Sequence, residues 1–250
     1  MLRQSNIEYL ATDGRKGYNW PFYTGCDHWQ TGVCGGGGKD FYCWAKRRAD
    51  RFNKGDFTPT WQPEHLLDPL RLKKPSKIAV CFGGDLFGDW VDPDESVRYR
   101  DKYGDTYIQF LRSIVFEVIN SCPQHTFLFL TKAPWNLLKW GRFPDNAWVG
   151  ASATNQKTHN EAIACLSGIQ ASIKFISYEP LLSEIKLEGA YDLSGMQWVI
   201  LGAATAPYRP PERVWISGIT EACRKAGIPY WLKNNLKPLL GDKPRQGLPQ

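Results

Sequence analysis

Three cysteines, Cys26, Cys34 and Cys43, are spaced Cys-x7-Cys-x8-Cys in the stretch Thr24 to Phe52, with four consecutive glycines, Gly35 to Gly38, between the second and third. Three thiols cannot all pair with one another as disulfides. They lie among Gly, Asp, Gln, Lys and His, where packing cysteines are not expected, although free cysteine often acts as a small buried hydrophobe. Structural zinc takes four ligands and brings close Cys-x2-Cys pairs. No close pair exists here, and His28 is the one nearby nitrogen ligand, so zinc would need a Cys3His set of Cys26, His28, Cys34 and Cys43. A 4Fe-4S cluster takes four thiolates. Three would leave one iron open to water or a substrate, which is the arrangement of a reacting centre. The other four cysteines, Cys81, Cys122, Cys165 and Cys223, sit in or beside apolar segments and read as packing residues.

The elements that must position these thiols alternate strand and helix. "KIAVCFGGD" is a short apolar run closed by two glycines and an acid, which suits a buried parallel strand and its exit loop. "DTYIQFLRSIVFEVINSCP" repeats Tyr107, Leu111, Ile114, Val115 and Val118 at helical spacing and stops at Pro123. Further strands are expected at "HTFLFLTK", "NAWVGASATNQ", "IKFISYEPLL", "QWVILGAAT" and "IPYWLK". Helices are expected at "APWNLLKWG", "HNEAIACLSGI" and "PERVWISGITEACRKAG", the last with Gly227 as its cap. With "NWPFYTGC" this makes about seven strands, fewer than the eight of a closed TIM barrel. The expected fold is α/β, a partial, open TIM barrel of βα units in a single domain over 1–250, with the cysteine loop at 24–45; a doubly wound sheet is the alternative.

In either fold the site lies at the carboxyl ends of the strands. That rule selects Cys26, Gly83, Gly84, Asp85, Thr131, Lys132, Ser152, Asn155, Glu179, Gly202 and Lys233. Lys132 and Glu179 each end a strand, so they are catalytic candidates, or they pair with each other as a salt bridge across the mouth. Asn155 and Gln156 could bind a ribose or amide, or shape a turn.

The chain has 250 residues, 42% hydrophobic, and a net charge of +6. No apolar run is long enough to span a bilayer, and "MLRQSNIEYLATDGRKG" lacks the apolar centre of a signal peptide. The expectation is a soluble cytoplasmic protein without a membrane partner. A mild positive charge allows an anionic partner without requiring one. Lys46, Arg47, Arg48 and Arg51 form a basic stretch after Cys43, expected to face solvent while Ala45, Ala49 and Phe52 are buried. No helix-turn-helix, zinc-finger or RNP pattern accompanies them, and the glycine run is not a P-loop.

Several short motifs occur in one order: Ile7-Glu8, Asn19 through "TGC", "CWA", "GDLFGDW", "FLFLTKAP", "WVGASATNQ", "FISYEPLL", "WVILG", Arg209-Pro210 and "IPYWLK". Together they resemble a phage-type three-cysteine family of unknown function, which in turn looks related to radical S-adenosylmethionine (SAM) enzymes, with spore photoproduct lyase as distant kin. The resemblance runs nearly end to end. It implies a radical SAM-like partial barrel with a 4Fe-4S cluster on Cys26, Cys34 and Cys43, and SAM bound at the open iron. It also implies an electron donor, and reductive cleavage of SAM to start radical chemistry on an unknown substrate. By the same resemblance Gly83-Gly84-Asp85 corresponds to a turn that meets the SAM amino group and Tyr42 to an aromatic beside the adenine; Ser152, Asn155 and Gly202, placed at strand ends, are further cofactor-binding candidates. Two departures stand out. The usual radical SAM spacing is Cys-x3-Cys-x2-Cys, and where the family tends to carry Gly-Gly-Glu-Ser this chain has Gly202-Ala203-Ala204-Thr205. The alternative function is a phage-encoded nucleic-acid-binding protein in which zinc or a cluster only staples the N-terminal loop.

Overall fold

The computed structural model describes residues 2–249 except 13, 33, 35–40, 188–191 and 243. The glycine run Gly35 to Gly38 therefore lies outside the described residues.

Eight strands form the central sheet: β1 (Arg3–Gln4), β2 (Tyr18–Trp20), β3 (Lys77–Val80), β4 (Thr126–Thr131), β5 (Ala147–Ser152), β6 (Ile173–Tyr178), β7 (Trp198–Leu201) and β8 (Tyr230–Leu232). Their order across the sheet is their order along the chain. Only β1 is antiparallel to its neighbour; β2 through β8 are parallel throughout. Each crossover thus leads to the next strand, with no reversal of direction. A doubly wound sheet requires such a reversal, so that alternative is not what the chain forms. Among the described residues β1 and β8 are not paired with each other, and no closed barrel forms. The seven parallel strands are the seven expected; β1 had no signal in the sequence.

Parallel strands buried on both faces read as near-continuous apolar runs, and both faces are covered here. One face of the sheet carries Ile78, Phe127, Phe129, Val149, Ile176 and Val199 into the main core with the helices. The other carries Ala79, Leu128, Phe175, Trp198, Ile200 and Trp231 into a second cluster that Tyr9 and Leu10 join from the N-terminal segment. Tyr9 packs edge-on against Trp198 and Trp231. Gly150 is required on this side, because a Cβ there would lie 2.4 Å from the Phe175 ring.

Four longer helices form, α1 (Trp44–Phe52), α2 (Leu111–Asn120), α3 (Gln156–Gly168) and α4 (Arg213–Lys225); α2 to α4 pack into the main core, while α1 sets Ala45 and Ala49 against Phe57 beside Cys26 and Cys43. "APWNLLKWG" forms a 3-10 helix over Pro134–Trp140. The helix expected from Asp105 begins only at Leu111. Ser96–Arg100 and Thr106–Phe110 instead pair as an antiparallel hairpin in which Tyr107 faces Tyr99. Asp101 accepts the backbone N–H groups of Tyr103 and Asp105, and Gly104 takes φ 92°, so the turn chemistry overrides the apparent helical spacing. In α1, Lys46 is buried rather than solvated: it bonds Asp50 and the Gly55 carbonyl and lies 4.5 Å over the Trp29 ring. Phe52, expected in the core, is exposed.

Among the described residues no helix is long and apolar enough to cross a membrane. Cys81, Cys122 and Cys223 are buried and Cys165 is half-buried on α3, as packing residues would be.

Candidate functional site

The loops leaving the carboxyl ends of β2 to β8 enclose a cavity of about 430 Å³. Cys26, Cys34 and Cys43 all line it, from three separate points of the N-terminal loop. Opposite them stand Asp85 after β3, Lys132 after β4, Ser152 ending β5, Glu179 after β6 and Lys233 after β8. Tyr42 and Gly84 complete the wall from the cysteine side. Gly83, Asn155 and Gly202 do not line it.

Backbone contacts hold the cysteine loop in place. Gly25 and Gly84 form an isolated parallel bridge, and the Cys26 N–H donates to the Phe57 carbonyl at 2.9 Å. Burial, and then the Asp85 carboxylate, push the Cys26 thiol above its ordinary range; the His28 N–H opposes this, and the neighbouring Cys34 and Cys43 thiols add to it. The three sulfurs are thus electrostatic neighbours. Among the described residues, however, no three Cys, His, Asp or Glu side chains are gathered as a single metal ion would need them.

Asp85 is 5% exposed and held by three donors. The Thr131 hydroxyl donates to both its oxygens at 2.8 and 3.0 Å, the Lys132 N–H at 3.0 Å and the Phe87 N–H at 3.0 Å. An ionised carboxylate has about four acceptor positions, so most of its capacity is committed to fixing the β3 exit loop against β4. Lys132 and Glu179 do not pair with each other. Lys132 Nζ donates to Ser152 Oγ at 3.3 Å, and Glu179 forms an ion pair with Lys233. Lys233, also selected by its position at the end of the last strand, is thus the partner that Glu179 takes. Gly202 lies beneath that pair, where a Cβ would meet Glu179 Cγ at 3.1 Å and Lys233 Cδ at 3.2 Å.

Asn155 belongs to a helix terminus, not to the cavity. Its Oδ1 accepts the Thr158 N–H, and the Thr158 hydroxyl accepts the Asn155 N–H, closing a capping box on α3. The turn reading of Asn155 is therefore the one realised, and Gln156 likewise ties α3 to Lys186. Asn155→Ala is expected to lower stability by about 1 kcal/mol, read as a small drop in the thermal midpoint with no change in what the cavity binds.

Tyr42 is fixed at both ends. Its N–H donates to the Ala206 carbonyl at 3.0 Å, and its hydroxyl donates to Asp50 Oδ2 at 2.6 Å, a bond that raises the phenol's pKa. Ala203 and Ala204, the departure noted in the sequence, line the cavity, and Ala203 exchanges two hydrogen bonds with the Asn235 side chain.

Two groups in the cavity wall stand out as unsatisfied. His28 is 3% exposed, yet neither ring nitrogen has a hydrogen-bond partner among the described residues; carboxylate oxygens of Asp85 and Asp89 are each 3.9 Å away. The Ser177 hydroxyl is also buried without a hydrogen-bond partner among the described residues. Leaving such groups unpaired costs about 1–3 kcal/mol each.

Residues 4–237 match a family described as a protein of unknown function, DUF5131. The chain belongs to the DUF5131 family. No curated protein and no solved structure matches it. In this DUF5131 chain the matched span reaches from β1 past the end of β8, so it takes in every residue of the cavity named above.

Proposed function

We propose that the cavity holds a 4Fe-4S cluster together with S-adenosylmethionine, on a partial, open barrel of the radical SAM type, and that the protein is a radical-generating enzyme acting on an unknown substrate with the help of an electron donor. The observation that carries this reading is the convergence of Cys26, Cys34 and Cys43 on one cavity at the carboxyl ends of parallel strands, with no fourth cysteine among the described residues of its wall. When bound, the pair would supply reductive cleavage of SAM.

The donor set fits. Cys26, Cys34 and Cys43 would hold the cluster, each thiolate on its own iron. The unpartnered nitrogens of His28 and the hydroxyl of Ser177 await a polar occupant, as a filled site requires. Asp85 keeps the Gly83-Gly84 turn in place through its bonds to Thr131, Lys132 and Phe87, with spare acceptor capacity toward an ammonium group. Lys132 has no carboxylate partner among the described residues and offers a cation to an anionic group. Tyr42 presents its ring at the rim while Asp50 anchors its hydroxyl.

The second reading is a single zinc ion on Cys26, His28, Cys34 and Cys43, favoured by the unsatisfied His28. Zinc needs its thiolates about 2.3 Å from one point. Thiols spread along a cavity wall suit several irons better than one ion. Anaerobic purification with iron, sulfide and zinc analysis tests the choice, followed by SAM cleavage with dithionite. Iron and sulfide near four each per chain are expected. A colourless protein with one zinc and no iron would sink the cluster, and a cluster-loaded protein that leaves SAM intact would sink the enzyme.

A further inference from the structure

We propose that the hairpin of Ser96–Arg100 and Thr106–Phe110 is a docking surface for single-stranded nucleic acid. This rests on the hairpin alone, independently of what the cavity holds. Cross-strand partners are Ser96 with Phe110, Arg98 with Ile108 and Arg100 with Thr106. Side chains alternate across a strand. Val97 and Tyr99 turn inward and join the main core. The other face, with Ser96, Arg98, Arg100, Thr106, Ile108 and Phe110, is exposed to solvent.

Three large apolar or aromatic side chains are exposed on this outer face or at the turn: Tyr103 at 78%, Ile108 at 61% and Phe110 at 55%; Tyr107, paired with Tyr99, belongs to the other face. Single exposed hydrophobes need no explanation, but Ile108 and Phe110 stand two residues apart on one face, opposite Arg98 and Ser96, and exposed apolar groups that share a face mark an interaction site. The charges on it are equally particular. Arg98, Arg100 and Lys102 have no ion-pair partner among the described residues, and the outer face carries no acid. The aspartates, Asp101 and Asp105, sit at the turn, where Asp101 is engaged by backbone N–H groups.

Unpaired cations interleaved with exposed rings fit an occupant with a charged backbone and flat bases, which is how single strands are held without sequence readout. A second copy of the chain fits less well, because a self-complementary contact would bring the same cations together. The hairpin is also tied to the candidate site. Trp61 donates its indole N–H to the Arg98 carbonyl at 3.3 Å and pairs with Tyr23, on the segment that leads into Cys26.

The test is fluorescence anisotropy of the full chain with labelled oligothymidylate and oligouridylate of about 15 nucleotides. Binding is expected at about 50 mM salt and should weaken steadily as salt rises. The double change Arg98→Ala, Arg100→Ala should reduce affinity about tenfold and flatten the log–log salt slope by about one unit or more. Phe110→Ala or Tyr103→Ala should reduce it about fivefold or more without changing that slope. All four side chains are exposed, so an unchanged thermal midpoint is the accompanying control. No binding of either oligonucleotide at low salt overturns the proposal. So does binding lost only on Arg47→Ala, Arg48→Ala, Arg51→Ala in α1, or a sedimenting dimer that Ile108→Lys dissolves.

Discussion

Serine at Cys26, Cys34 or Cys43, introduced singly, is expected to reduce the iron of anaerobically purified protein from about four per chain to below about one. Each cysteine would hold a different corner of the proposed cluster, and the described residues of the cavity wall include no further cysteine to replace a lost one. A hydroxyl is a poor substitute, since clusters are held by thiolates. Cys165→Ser is the matched control. That thiol is half-buried on α3 and lies outside the cavity, so the iron should stay while stability falls slightly. Iron retained in all three cysteine variants would overturn the assignment. Zinc retained in the wild type and lost on His28→Ala as well as on the cysteine changes would replace the cluster with a single-ion site. The readout is metal content and the visible absorption of the protein, so it does not depend on knowing a substrate.

What was legible from the sequence followed from local physics. Apolar runs such as "FLFLT" and "WVGAS" announce buried parallel strands, and the strand-end rule then gathered Asp85, Lys132, Ser152, Glu179 and the cysteines onto one face; the cavity lining agrees for each of them. Failures came where a side chain's partner is distant or its backbone task is local. Nothing in "YEP" reveals that Glu179 meets Lys233, a partner far along the chain, rather than Lys132. Glu8 is similar: its carboxylate accepts the Asn234 N–H at the far end of the chain. Asn155 was visible as a turn residue, but only the capping box with Thr158 separates that role from ligand binding. Residues 105–110 misled because Tyr107, Leu111 and Ile114 keep helical spacing across a strand-to-helix junction; the deciding signal was the turn at Asp101 to Asp105. His28 was legible as a zinc candidate from its position beside Cys26, while its unsatisfied burial becomes apparent only in the fold.

Alanine at two adjacent glycines should give opposite results. Gly84→Ala would set a Cβ 2.3 Å from the Gly25 carbonyl oxygen and 2.9 Å from its nitrogen, both backbone atoms that cannot swing aside. The Gly25–Gly84 bridge would have to part, releasing the cysteine loop from the β3 exit turn. Gly83→Ala meets nothing within 4 Å and needs no left-handed backbone. The expected loss is about 3 kcal/mol for Gly84→Ala, within the range of steric and backbone mechanisms, against about 0.5 kcal/mol or less for Gly83→Ala. At this chain length that corresponds to a fall of about 6–12 °C in the thermal midpoint for the first and about 2 °C or less for the second. Gly25→Ala should resemble Gly84→Ala, because its φ of 84° is unfavourable for any L side chain and its Cβ would lie 2.2 Å from the Thr58 carbonyl oxygen. Metal content separates anchoring from ligand contact. Gly84→Ala and Gly25→Ala should lose both stability and iron, since Cys26 directly follows the broken bridge. Gly83→Ala should keep both, and if it keeps iron yet loses SAM binding, Gly83 touches the cofactor. Equal midpoints for Gly83→Ala and Gly84→Ala would mean that the bridge does not hold the loop and that Cys26 is not a preorganised ligand.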